Sequence, residues 1–259
     1  MFNQPPIINI FEKAVRKASK MLIRDFGEIE NLQINSKSVG DFVTNADINV
    51  EKSLLETLQK YFPDVTYLSE EKGLIKGNEE MIVIDPIDGT TNFIHGIPII
   101  GIVVAKIKDD EITDGVIFNP ISDEFFWASK GNGAWCNNKR LRVSKRHNLE
   151  TSIIGTGIPH SNEIEDKHMK EIYNIAKDSS GIRRMGSAAI DLAYVAAGKL
   201  DGFWERGLNI WDVSSGILLV KEAGGKITEL DGNKWNINSK DILVSNAHIH
   251  ELMINNLKN

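Results

Sequence analysis

Cysteine is nearly absent: Cys136 is the only one in 259 residues. No internal disulfide can form, so the fold must rest on its core, and a reducing compartment fits. Long apolar runs are missing too. The longest strongly apolar stretch, residues 97–105, is broken by Pro98 and Gly101 and ends at Lys106, far short of a membrane span. Residues 1–11 lack a basic segment leading into an apolar one, so no secretory leader is read, and a soluble cytoplasmic protein is expected. Basic charge is not in excess either: 30 Lys and Arg stand against 36 Asp and Glu, a net charge of −6. That disfavours a whole-surface attraction to nucleic acid or anionic membrane. No fixed-period repeat is present, and Trp211-Asp212 is a single pair, which excludes a propeller built on such repeats.

What is present is an ordinary globular balance, 41% hydrophobic and 25% charged, which excludes disorder as the main state. The length allows a substantial core. Residues 10–26 carry Ala14, Ala18, Met21 and Leu22 at helical spacing, and residues 47–61 place Ile48, Leu54, Leu55 and Leu58 on one side of a second helix. Residues 65–68, 81–84, 99–107, 114–118 and 124–128 have strand character, with a turn at 109–111. Their short connections predict a largely antiparallel sheet. The second half alternates. Strands are expected at 152–155, 203–204 and 242–244, and helices at 165–177, 188–197, 213–223 and 249–257, the third closed by Gly224-Gly225. This mixture predicts an α/β layered fold with a mixed second sheet. A soft boundary in the basic stretch 139–149 divides lobes 1–145 and 146–259 of one compact unit.

Carboxylates gather at the edges of apolar segments. Asp41 and Asp47 bracket residues 42–46, Glu70 and Glu71 follow a strand, Asp85 and Asp88 follow another, and Asp212 opens a helix. Strand ends and helix starts are rigid, so side chains there can be aimed at a common point. Taken singly, Asp47 and Asp212 read as helix N-caps, Glu70-Glu71 as a solvated loop and Asp88-Gly89 as a turn. The segment Asp85-Pro86-Ile87-Asp88-Gly89-Thr90-Thr91-Asn92-Phe93 resists that reading. A buried strand delivers two carboxylates close in sequence, and close carboxylates repel unless positive charge compensates them. Hard divalent cations with oxygen ligands supply such charge. Gly89 lets the backbone approach a ligand, and a helix starting there would make the Gly89 and Thr90 N–H groups an anion cradle. Cation ligands beside phosphate donors form a phosphoryl-transfer site.

These blocks resemble the inositol monophosphatase family, most closely its bacterial members, over about residues 13–257. Matching segments are Asp41 to Asp47, Ser69-Glu70-Glu71, Asp85 to Phe93, Arg184 to Ala189, Asp201 to Glu205, and Trp211-Asp212-Val213 leading to Glu222-Ala223-Gly224-Gly225. The resemblance implies a sandwich of alternating helix and sheet layers, shared with fructose-1,6-bisphosphatases. It implies Mg²⁺-dependent, lithium-sensitive hydrolysis of inositol monophosphates to inositol and phosphate. Two to three Mg²⁺ ions per site are implied. Glu70, Asp85 and the Ile87 carbonyl would hold the first, and Asp85, Asp88 and Asp212 the second, with Glu70 leaning on a weaker third. Thr90 and Asp47, with Glu70, would activate the attacking water. The Gly89 and Thr90 backbone would bind phosphate, and Glu205, Ala188, Asp88 and Asp212 would face the inositol hydroxyls. A homodimer is implied too, with Arg183-Arg184 near its contact.

Fructose-1,6-bisphosphatase or 3′-phosphoadenosine-5′-phosphate phosphatase activity would use the same metal core, although Glu205 and the block from Gly186 to Ala189 favour the inositol branch. Some bacterial relatives act as partners of transcription-elongation and ribosomal-RNA maturation factors. A non-catalytic partner role is therefore the alternative from another class. The basic run Lys139, Arg140, Arg142, Lys145 and Arg146 could meet RNA or an acidic protein. It holds no aromatic residue for stacking and reads as a solvated strand edge. His248 and His250 read as solvated side chains rather than ligands. Residues 157–166 carry little pattern and suggest no function.

Overall fold

The structure, a computed structural model, describes residues 4–26, 34–38, 41–158 and 166–258. In chain order its elements are α1 (Pro6–Asp25), β1 (Ile34–Ser38), β2 (Asp41–Thr44), α2 (Asn45–Leu58), β3 (Thr66–Ser69), β4 (Gly73–Ile75), β5 (Met81–Asp88), α3 (Thr90–Ile94), β6 (Gly101–Lys108), β7 (Glu111–Asn119) and β8 (Glu124–Ser129). There follow β9 (Gly133–Cys136), β10 (Lys139–Arg140), β11 (Ile153–Thr156), α4 (Asp166–Asp178), β12 (Gly181–Arg183), α5 (Ala188–Ala196), β13 (Gly202–Glu205), α6 (Ile210–Glu222), β14 (Lys226–Thr228), β15 (Ile242–Ser245) and α7 (His250–Lys258).

Among the described residues the strands form a β1-β2 hairpin, an eight-stranded sheet ordered β10-β9-β8-β7-β6-β5-β3-β4 and a five-stranded sheet ordered β12-β11-β13-β15-β14. The large sheet is antiparallel as expected, except that β3 runs parallel to β5. The small one is mixed: β11 is parallel to β12 and β13, while β15 is antiparallel to β13 and β14.

Strand alternation builds the layers. On β6, Ile102 and Val104 pack with Phe11, Val15, Leu22, Val50 and Leu54 of α1 and α2, while Val103 turns to the other face and joins α5 and α6. On β8, Phe125 and Trp127 face α1, and Phe126 and Ala128 face α5 and α6. The small sheet does the same. Phe203 and Val244 point at α5 and α6, while Trp204 and Leu243 point at Ile175 of α4 and Met253 of α7. A period of two places both faces of each buried strand in contact with helices. The order is therefore helix, sheet, helix, sheet, helix, with α5 and α6 shared by both sheets. No helix of the described residues is long and apolar enough to cross a membrane.

Several sequence expectations shift. α1 begins at Pro6 rather than residue 10, because proline is tolerated in a first turn, where N–H groups lack partners. α6 begins at Ile210, so Asp212 does not open the helix but sits at its third position; Asp47 is likewise third in α2. The basic run is a strand edge only at Lys139 and Arg140 in β10; Arg146 instead pairs with the buried Asp201 at 3.0 Å.

His250 corrects the expectation of a solvated ring. It is fully buried, bonded through Nδ1 to Ser245 Oγ at 2.8 Å and through Nε2 to Thr228 Oγ1 at 2.9 Å. Burial, then the charge of Lys226, push its pKa down to about 4 against the opposing pull of Glu251. The unfolded chain binds the proton near 6.5, so this contribution is intact above that pH and lost as pH falls from 6.5 towards 4. At about 1.4 kcal/mol per unit the loss is on the order of 2–3 kcal/mol. Urea midpoints at pH 7 and 4.5 should therefore fall further for the wild type than for His250→Gln.

Candidate active site

β5 carries the centre of the site. Asp85 lies opposite Val103 and Asp88 opposite Gly101, so three steps on β5 span two on β6. The extra residue falls at Pro86-Ile87, where proline has no N–H to give the ladder. In a regular strand Asp85 and Asp88 would face opposite sides. The bulge turns both to one side. Beside them, Ser69 of β3 pairs with Ile84, and the Glu70 N–H donates to the Ile84 carbonyl at 3.3 Å. Glu70 thereby leaves the sheet next to Asp85.

Helix starts bring the rest. Asp47, in the first turn of α2, is 1% exposed, and its Oδ1 accepts from Thr90 Oγ1 at 3.2 Å. The same hydroxyl stands 3.0 Å from the Ile87 carbonyl. Gly89 precedes α3 with φ +93°, and a Cβ there would lie 3.0 Å from the Ile99 carbonyl, so only glycine fits. α3 is a five-residue helix, so any anion cradle at Gly89 and Thr90 is a turn rather than a helix dipole. Asp212 accepts from the Asn209 N–H at 2.6 Å, holding the α6 entrance. Asp88 Oδ2 accepts from Ser187 Oγ at 2.5 Å and from the Ala189 N–H at 2.7 Å, so it rests on the first turn of α5, where Ala188 sits. Asn92 donates to the carbonyls of Ile99 and Met185, both at 2.8 Å, tying α3 to the turn before α5. Glu205, at the end of β13, lies over Gly157: a Cβ at residue 157 would come 1.9 Å from its carboxylate.

The electrostatics are one-sided. Burial, then Glu70, Asp88, Asp212 and Asp47, hold Asp85 well above the usual carboxylate range. Burial raises Asp88 to about 6 against its Ser187 and Ala189 bonds. Burial and Asp88 push Asp212 up to about 8, and burial with Asp88 and Asp212 takes Glu205 to about 8 against the pull of Arg184. Asp191, one turn into α5, is also raised well above its ordinary value by burial, Glu205 and Asp88. Such a cluster is relieved either by holding protons or by compensating cations.

Hard divalent cations suit this donor set. The available donors are all oxygen, and Asp85 Oδ1 is buried with no hydrogen-bond partner among the described residues. As placed, no three described His, Cys, Asp or Glu side chains stand close enough to hold one ion. The acids are thus grouped at electrostatic range and would have to draw in on a cation.

The structure brings together Asp47, Glu70, Asp85, Ile87, Asp88, Gly89 and Thr90, and it sets Ala188, Glu205 and Asp212 around Asp88. Asp41 lies in β2, and its side chain is outside the described residues, as are residues 159–165 of the patternless segment. Ser187, Asn92 and Gly157 escaped the sequence reading as individuals. Only Ser187 carried a local signal, a serine just before an apolar helix.

Comparison with known proteins places this arrangement in a family. The model of the inositol monophosphatase family matches residues 3–259. An inositol-1-monophosphatase of Caulobacter vibrioides is 43% identical over 252 residues, covering 95% of this chain and 98% of its own. A Nus factor SuhB of Pseudomonas aeruginosa is 37% identical, covering 98% and 96%. The crystal structure of the extragenic suppressor protein suhB from Bartonella henselae superposes with a TM-score of 0.95 at 43% identity, covering 98% of this chain and 99% of that one. The chain therefore belongs to the inositol monophosphatase family.

Proposed function

We propose that this chain hydrolyses small phosphate monoesters, inositol monophosphates first, with water as nucleophile and Mg²⁺ as cofactor. The observation that supports this most is the β5 bulge, which turns Asp85 and Asp88 to one side beside Glu70, with Asp85 Oδ1 left without a hydrogen-bond partner among the described residues. Glu70, Asp85, the Ile87 carbonyl, Asp88 and Asp212 would hold two to three divalent cations, which when bound lower the pKa of water and neutralise phosphoryl charge. Thr90 orients the water: with its proton given to Asp47, its oxygen accepts one from the nucleophile. The Gly89 and Thr90 N–H groups bind phosphate oxygens. Glu205 and Ala188, with Asp88 and Asp212, face the alcohol. The test is phosphate release, with and without Mg²⁺, from inositol 1-phosphate, fructose 1,6-bisphosphate and 3′-phosphoadenosine 5′-phosphate. Strong Mg²⁺-dependent turnover of the first alone supports the reading, and no turnover of any removes it.

Glu205 is the arm that selects the alcohol, and its seat is Gly157. Gly157→Ala drives a methyl group into that carboxylate. It should raise KM about tenfold and change kcat less, measured with inositol 1-phosphate.

A second reading rests on the SuhB relatives, named for a Nus factor. In it the chain serves a transcription or ribosomal partner without catalysis. A cellular phenotype that survives Asp85→Asn while hydrolysis disappears would favour it. We further propose a cytoplasmic homodimer, tested by light scattering after size exclusion.

A further inference from the structure

Glu51 stands one turn beyond Asp47 on α2 and is equally buried, at 1% exposure. Its Oε1 accepts two backbone N–H groups, from Glu71 at 3.1 Å and Lys72 at 3.2 Å. Its Oε2 is buried and has no hydrogen-bond partner among the described residues. A buried carboxyl oxygen left unpaired costs on the order of 1–3 kcal/mol, which an apolar residue on this helix face would avoid. A carboxylate at this position therefore needs a reason beyond packing.

The reason lies in what those two amides belong to. β3 ends at Ser69 and β4 returns at Gly73, with Ser69 paired to Gly73, so residues 70–72 are the whole of a tight turn. Glu70, its first residue, is tied to β5 through its own N–H. Its second and third residues are tied to Glu51. One helix thus governs two arms of the site: Asp47 reaches Thr90, and Glu51 fixes the turn that carries Glu70.

We propose that Glu51 is a positioning residue that sets where Glu70 stands relative to Asp85, and hence the affinity of the site for divalent cations. This rests on the reading of Glu70 as a cation ligand. Both amides go to the same oxygen, so a glutamine at residue 51 retains the anchor. An aspartate is one methylene too short to reach it.

Calorimetric titration of the full chain with Mn²⁺, without substrate, tests this alongside melting curves. Glu51→Ala and Glu51→Asp should weaken Mn²⁺ binding about tenfold or more, the scale on which groups behind a ligand act. Glu51→Gln should bind close to wild type. A purely structural role would lower the melting temperature but leave the affinity of the folded protein unchanged. Wild-type affinity in Glu51→Asp overturns the proposal, as does a loss in Glu51→Gln equal to that in Glu51→Ala. If Glu51→Ala fails to fold, Glu51→Asp decides. Glu70→Gln separates the two ideas. Wild-type binding there removes the ligand reading itself. Weakened binding there with normal binding in Glu51→Asp removes only the role of Glu51.

Discussion

Asp85→Asn is expected to lower kcat/KM for phosphate-ester hydrolysis by at least about 10³-fold, some 4 kcal/mol, while raising the melting temperature of the metal-free protein. The two effects have one cause. Asp85 is buried, its Oδ1 has no hydrogen-bond partner among the described residues, and Glu70, Asp88, Asp212 and Asp47 all repel it. Asparagine keeps the shape and removes the charge. Without cations that relieves repulsion, and function is lost in exchange for stability. With Mg²⁺ the order reverses, because the wild type gains stability by mass action and the variant does not. Calorimetric melting with and without Mg²⁺, beside phosphate release, checks both halves. A variant that is active, or less stable without metal, contradicts the account.

Thr90→Ala is expected to lower kcat about 10²-fold with little change in KM, the usual scale for a lost proton-handling group. Thr90 Oγ1 stands between Asp47 and the Ile87 carbonyl, so its one proton has two acceptors and its oxygen remains able to accept a hydrogen bond from water. Orientation of the water matters in the transition state and not in substrate binding. Thr90→Ser restores the hydroxyl and should recover most of the rate. A change confined to KM would remove the water-orienting role, leaving Thr90 as part of the binding surface.

The layered fold and the grouping of the candidate carboxylates were both legible in the sequence in outline. Asp85 and Asp88 lie on one short segment, so their pairing could be read locally, and the matched blocks supplied Glu70 and Asp212. The bulge that makes them face together could not, because it is defined against Gly101 and Val103 of the neighbouring strand. Periodic helices such as α2 and α4 showed themselves within a few residues of their ends. β10, β12 and β14 did not: they have two or three residues each, too few for alternation, and exist only through partners that the fold brings alongside. Gly157 and Glu51 act across 48 and about 20 residues of chain respectively, a separation that no local pattern records. His250 misled for the same reason. Near the C-terminus it reads as solvated, yet Ser245 and Thr228 enclose it.

The most direct test of the central claim, that this carboxylate cluster holds the divalent cations of a phosphatase, is the anomalous scattering of Mn²⁺ in crystals of the active protein. The account predicts two or three peaks bounded by Glu70, Asp85, the Ile87 carbonyl, Asp88 and Asp212, absent in Asp85→Asn. Peaks only elsewhere, in a protein that still hydrolyses inositol 1-phosphate with Mn²⁺, would contradict it.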